Sequence, residues 1–171
     1  METYTALASA SFSSGSSLLA IFNGLSSAKI IRLHRIYCLN VQTVAIDEDI
    51  TAIEIWTTSS QSGGTPITPI KHDSTNSAID GNVSIATGAT VTSVRKLRRW
   101  PWYDQEVRTW LATAAEWEAI PALNIVWDQG YGNQDVEPLT LRQGEGVHVW
   151  HVGTMNVGEV DVIFQFTQAT S

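Results

Sequence analysis

LTLRQGEGVHVWHVGTMNVGEVDVIFQFTQ, residues 139–168, decides the fold class. Leu139 and Leu141 flank Thr140, and Gly144-Glu145-Gly146 makes a sharp turn. Val147 and Val149 then alternate with His148 and Trp150. After Gly153 and Gly158, Val160, Val162, Phe164 and Phe166 alternate with Asp161, Gln165 and Thr167. Successive side chains of a strand leave opposite faces, so a period of two marks strands with one buried side. Glycine supplies φ > 0 without a Cβ clash, which accounts for the Gly-Glu-Gly turn without a functional role.

The same period recurs toward the N-terminus. Leu33, Tyr37, Leu39 and Val41 alternate with Arg32, His34, Cys38 and Asn40, which predicts a long strand buried on the Leu33 side. Ile53 and Ile55 alternate with Ala52, Glu54 and Trp56. Thr57 to Thr65 is polar, contains Gly63-Gly64 and runs into Pro66, the composition of a loop. Asp80-Gly81 precedes Val83-Ser84-Ile85, a turn into a strand, and Thr90 to Val94 begins another. Leu123, Ile125 and Trp127 alternate with Asn124, Val126 and Asp128. Trp100 to Pro121 reads as an excursion between strands or, over Glu106 to Glu118, a short helix with Val107, Trp110, Leu111 and Ala114 on one side. The sum is an all-β chain, a β-sandwich or jelly roll of about eight strands with at most one short helix. Met1 to Ser17 shows no clear period, and residues 3–28 hold eight serines and no charge. The expected organisation is an extended arm over residues 1–17, disordered or ordered only against a neighbour, and a domain over 18–171.

The 171 residues suffice for one domain with its own core. Charged residues make up 16% of the chain against a usual value of about 25%, with 43% apolar. The surface is therefore rich in Ser, Thr, Gln and Asn. Hydroxyls are easier to desolvate against a partner than charges, though an ordinary neutral surface fits equally. Net charge is −7, unevenly placed: eight basic and seven acidic residues up to Arg99, two basic and ten acidic from Trp100. Nucleic acid is disfavoured by this balance. No apolar run is long enough for a membrane helix, and no positive charge precedes Lys29, so neither a membrane partner nor a signal peptide is expected. The lone Cys38 reads as a small buried hydrophobe.

Chemistry-bearing motifs are missing. No nucleophile elbow, phosphate loop, His-Glu-x-x-His or paired-cysteine pattern occurs, so no enzyme activity and no cofactor are expected. His148 and His151, three apart on a strand, leave opposite faces and are poor candidates for sharing a metal. His72-Asp73 has no nucleophile beside it, and Asp47-Glu48-Asp49 lacks the spacing of a calcium loop. Two features suggest contacts. Arg95, Lys96, Arg98 and Arg99 stand beside Trp100, Trp102 and Tyr103, an expected inter-subunit contact that would face the acidic half of another copy. Seven tryptophans is a high count; Trp127 and Trp150 are expected in the core, and the Trp100–Tyr103 cluster at an interface or in a packed surface loop.

The run Ile30-Ile31-Arg32-Leu33-His34-Arg35-Ile36-Tyr37-Cys38-Leu39-Asn40, with Gly-Thr-Pro at 64–66, Lys71-His72-Asp73 and residues 138–146, resembles the small jelly-roll structural proteins of tailed bacteriophages. These include the head decoration, or cement, proteins. The resemblance covers roughly residues 18–168 in pattern and layout. It implies a virion protein on the outer capsid surface, often a homotrimer, that binds the major capsid protein and has no catalytic residues. Within that reading, the arm residues Thr3, Tyr4, Thr5 and Phe12 are the expected capsid contact. The alternatives are a carbohydrate- or receptor-binding module using exposed Trp and Tyr, and a low-copy tail or neck protein. A hydrolase would need an acid–base pair in a cleft that the sequence does not display.

Overall fold

The computed structural model describes residues 2–12, 17–41, 49–104, 124–128, 137–153 and 158–170. Among them the regular structure is entirely β: β1 (Glu2–Ser11), β2 (Ser17–Asn23), β3 (Lys29–Asn40), β4 (Asp49–Ser62), β5 (Thr65–Pro66), β6 (Ile70–Lys71), β7 (Val83–Thr87), β8 (Thr90–Asp104), β9 (Asn124–Asp128), β10 (Leu139–Leu141), β11 (Glu145–Val152) and β12 (Glu159–Thr170). They form two antiparallel sheets packed as a β-sandwich. The first runs β10-β3-β12-β1-β6, with β9 on the edge of β3 that β10 also uses; the second runs β5-β7-β2-β11-β4-β8. The candidate helix at 106–118 lies outside the described residues.

Between the sheets lies one apolar core. Tyr4, Phe12, Leu19, Ile21, Ile53, Ile55, Trp102, Val147, Val149, Val162, Phe164 and Phe166 are each closed to water. The Tyr4 ring stacks on Phe166 with centroids 5.5 Å apart, and Phe12 meets Trp102 edge-on at 6.0 Å. Cys38 is buried among these residues, which pushes its thiol up to about 12 and leaves it a packing group.

Several sequence expectations are corrected by strand irregularities and by chain length. In β3 the buried set is Ile31 and Leu33, then Ile36 and Cys38. Leu33 faces Phe166 and Arg35 faces Gln165, so His34 is an extra residue, a β-bulge that reverses the alternation. Tyr37 and Leu39 consequently lie half-buried on the outer face. The polar run after Thr57 is mostly strand, because β4 continues to Ser62; the turn is left to Gly63 and Gly64. Gly64 has φ +84°, and a Cβ there would stand 2.4 Å from the Thr87 carbonyl oxygen, so this turn can press against β7 only as glycine. β8 likewise continues through Trp100 to Asp104, where the sequence suggested an excursion.

The largest correction concerns the N-terminus. Residues 2–11 are not an arm but a strand of the first sheet, paired with β12 from Glu2↔Gln168 to Ser11↔Glu159. Tyr4, Ala6 and Ala8 point into the core while Thr5, Leu7 and Ser9 point out. Alanine carries the inward alternation here, and its weak hydrophobicity hides the period in the sequence.

Candidate functional site

The four residues expected as a capsid-contact arm are distributed within the domain. Tyr4 and Phe12 are fully buried, so neither side chain is available to a partner. The Tyr4 hydroxyl lies 2.9 Å from the Glu2 carboxylate and 3.0 Å from the Ser77 carbonyl. Burial, reinforced by the Glu2 charge, raises Tyr4 to about 12. Glu2 in turn accepts the Ser77 backbone N–H at 2.8 Å, which with the Tyr4 hydroxyl holds its carboxyl down at about 2. The Thr3 carbonyl accepts the His72 N–H at 3.0 Å, and Thr5 Oγ1 lies 2.6 Å from His72 Nε2. The segment after β6 thus straps β1 in place. His72, beside which the sequence marks no nucleophile, spends its ring on that strap.

The basic cluster lies on β8, which closes one side of the second sheet. Arg95, Lys96, Arg98 and Arg99 are all exposed. Residues 96 and 99 would leave opposite faces of a regular strand. Lys96 pairs with Trp56 and Arg99 with Glu54 while Arg98 pairs with Ile55, so Leu97 is a bulge that brings Lys96 and Arg99 to one face. Both reach the buried Glu54 carboxylate, at 2.5 Å from Lys96 Nζ and 3.6 Å from Arg99 Nε. Trp56 Nε1 donates to the other Glu54 oxygen at 2.7 Å. The buried Glu54 carboxylate therefore has two hydrogen-bond donors, Lys96 and Trp56, with Arg99 as a second cation nearby, the condition under which burial of a charge is tolerated. Lys96 also stands 5.0 Å over the Trp56 ring, and the Arg98 guanidinium 5.7 Å over Trp100. Trp100 is half-buried. Trp102 belongs to the core and cannot serve as a contact residue, which corrects its assignment to an interface. Tyr103 of β8 pairs with Ile50 of β4, and its side chain lies outside the described set.

A second polar region went unnoticed in the sequence. The far ends of β4 and β8 curl over the outer face of the second sheet: Gln61 Nε2 donates to Ser84 Oγ of β7 at 2.9 Å, and Ala89 and Val91 close on Ala20 and Ala86. His148 is sealed beneath this ribbon with no exposed surface, its Nε2 2.9 Å from Ser93 Oγ and its Nδ1 without a hydrogen-bond partner among the described residues. Burial drives the imidazole down to about 4, so it is neutral at pH 7. Trp150 lies half-buried on the same face, edge-on to His148 at 5.6 Å, and is not a core residue as the sequence suggested. His151 faces the opposite side and packs 4.6 Å from the Phe12 ring. Trp127 is half-buried against the core. No local pattern in the sequence marks the sealed face, since Val147 and Val149 alternate with His148 and Trp150 as on an ordinary half-buried strand.

Among the described residues no three metal-ligating side chains converge. One shallow cleft of about 240 Å³ is lined by Ser9, Ala10, Ser11, Val41, Glu159 and Asp161. Ser9 donates to Asp161 there at 2.6 Å, with no histidine or lysine in the lining to act as a base for it. Comparison with protein-family models, curated proteins and solved structures gives no match to this chain.

Proposed function

We propose that the protein is a virion structural protein, a capsid decoration (cement) protein that binds the outer surface of the major capsid protein shell and stabilises the head. The observation that carries the reading is the strand order. β1, β12, β3 and the β9/β10 pair form one layer, and β2, β11, β4 and β8 the other. We read this as a jelly roll in which β5, β6 and β7 are an insertion, the layout the sequence resemblance implies. The low charge content supports it, since a cement protein must desolvate surface against several neighbours at once. With residues 2–12 built into the first sheet, shell contact falls to the cationic strand. Arg95 and Arg98 project from β8 without being engaged by Glu54, and they suit an acidic shell surface. The carbohydrate-binding alternative is weakened at Trp56 and Trp100, whose rings carry the protein's own cations.

The test is the copy number in purified particles, by quantitative mass spectrometry against the major shell protein. A number comparable with the shell protein, reduced at least tenfold in an Arg95→Glu/Arg98→Glu variant, is expected. A handful of copies would assign the protein to the tail or neck, and absence from particles would sink the virion reading.

A further inference from the structure

Two strand edges of the sandwich differ in how they are guarded. β8 is long but carries Arg95, Lys96, Arg98, Arg99 and Pro101, and its pairing with β4 shifts register three times. Charge, proline and bulges are the usual means by which an edge avoids pairing with another chain. β1 has none of them. From Thr3 to Ser11 it holds no charge, proline or glycine, and its ladder with β12 is unbroken. Among the described residues the cover is short: the two-residue β6 pairs with Tyr4 and Thr5, and the His72 N–H reaches Thr3.

The direction of the free backbone groups follows from one hydrogen bond. The Thr3 carbonyl accepts from His72, on the side away from β12. In an uninterrupted antiparallel ladder alternate residues face the same way. Thr5, Leu7, Ser9 and Ser11 therefore also turn their N–H and C=O groups away from β12. Thr5 meets Ile70; beyond it Leu7, Ser9 and Ser11 meet no strand among the described residues. Their side chains are exposed, Leu7 by 44%, and the neighbouring Ile70 by 66%.

We propose that Leu7 to Ser11 pairs with the same stretch of a second copy, antiparallel, about a twofold axis at Ser9. Ser9 then faces Ser9 of the other copy, and Leu7 faces Ser11 in both directions. Each facing pair exchanges two main-chain hydrogen bonds, and the two first sheets become one continuous sheet. A second copy is the occupant because the edge is neutral and self-complementary. A charged partner strand finds no opposite charge on it, whereas two copies meet without opposing like charges. The nearest repulsion is between the two Asp161 carboxylates behind Ser9, whose backbones lie three strand spacings apart, about 14 Å. That exceeds the physiological screening length of about 8 Å. The contact replaces the trimer implied by the resemblance with a pair, and leaves β8 free for another surface. It does not depend on the virion reading.

The full chain should sediment at twice its 18.7 kDa mass. Leu7→Lys/Ser9→Lys, which puts two cations on the edge and leaves the β12 ladder untouched, should sediment at one chain mass with an unchanged circular-dichroism spectrum. Should that variant not fold, Ser11→Lys at the end of the strand gives the same comparison. Hydrogen exchange should show the Leu7, Ser9 and Ser11 amides protected in the wild-type protein and at least tenfold faster in the variant. A wild-type mass of one chain or three, an open-ended series of masses, or a dimer that survives the lysines overturns the proposal.

Discussion

The space between the two sheets and the space beneath the curled ends of β4 and β8 are both closed to water, by different means. Between the sheets the contents are almost wholly apolar, with Phe164 and Phe166 at the centre and Trp102 at one end. Under the ribbon and along the same outer face the contents are polar: Thr58, Glu54 and His148, each below 5% exposed. The first region is held by area removed from water, which any side chain of the right volume supplies. The second is held by particular donors in particular places, so its contribution depends on protonation state and on each partner being present. Both stabilise the sandwich, but only the second responds to the solution around it.

The comparison breaks most visibly at Phe164. Phe164→Ala should lower unfolding free energy by about 3–5 kcal/mol in urea titration, the usual cost of a large cavity in a close-packed core. A loss below about 1 kcal/mol would mean that the sheets pack loosely and that the contrast is false. Next comes pH. His148 sits at about 4 in the folded chain, below its ordinary value of 6.5. Between those values the unfolded chain takes up a proton that the folded chain refuses. The stability due to a neutral His148 is thus fully present above pH 6.5, and about 3 kcal/mol of it is lost as pH falls to 4. Urea midpoints measured from pH 7.5 to 4 should show this slope in the wild-type protein and a flatter one in His148→Gln. Equal slopes would place the pH response elsewhere. The smallest effect is expected at Glu54. Lys96→Met should cost about 1–2 kcal/mol, because the carboxylate stays buried but keeps Arg99 and Trp56. Adding Glu54→Leu should recover part of that loss, and strict additivity of the two changes would show that the pair is not coupled.

How much of this was legible in the sequence varies with the side chains that carry the signal. β11 and β12 could be read directly, because Val and Phe alternate with polar residues and the strand pairs over its length. β3 was found but assigned the wrong face beyond His34, since a single bulged residue reverses a period of two and leaves no mark in composition. β1 was missed because its inward residues after Tyr4 are alanines and its outward ones include Leu7, which nearly inverts the usual contrast. The buried position of Trp102, beyond four exposed cations, depends on the irregularities in β8, which arise from pairing with β4. His148 and Glu54 looked like outward polar residues on half-buried strands. Their burial is created by a ribbon that returns from elsewhere in the chain, and no local pattern reports that.

The pairing of β1 with β12 joins residues such as Ser9 and Asp161, 152 positions apart. Contacts so distant in sequence form late, because the loop they close must lose its freedom before any bond is gained. At ordinary rates of synthesis the ribosome takes on the order of ten seconds to travel from the first of these strands to the last. Throughout that interval the β1 segment is without its principal partner. The first sheet can therefore be completed only after translation has delivered β12, the strand that joins β1 to β3.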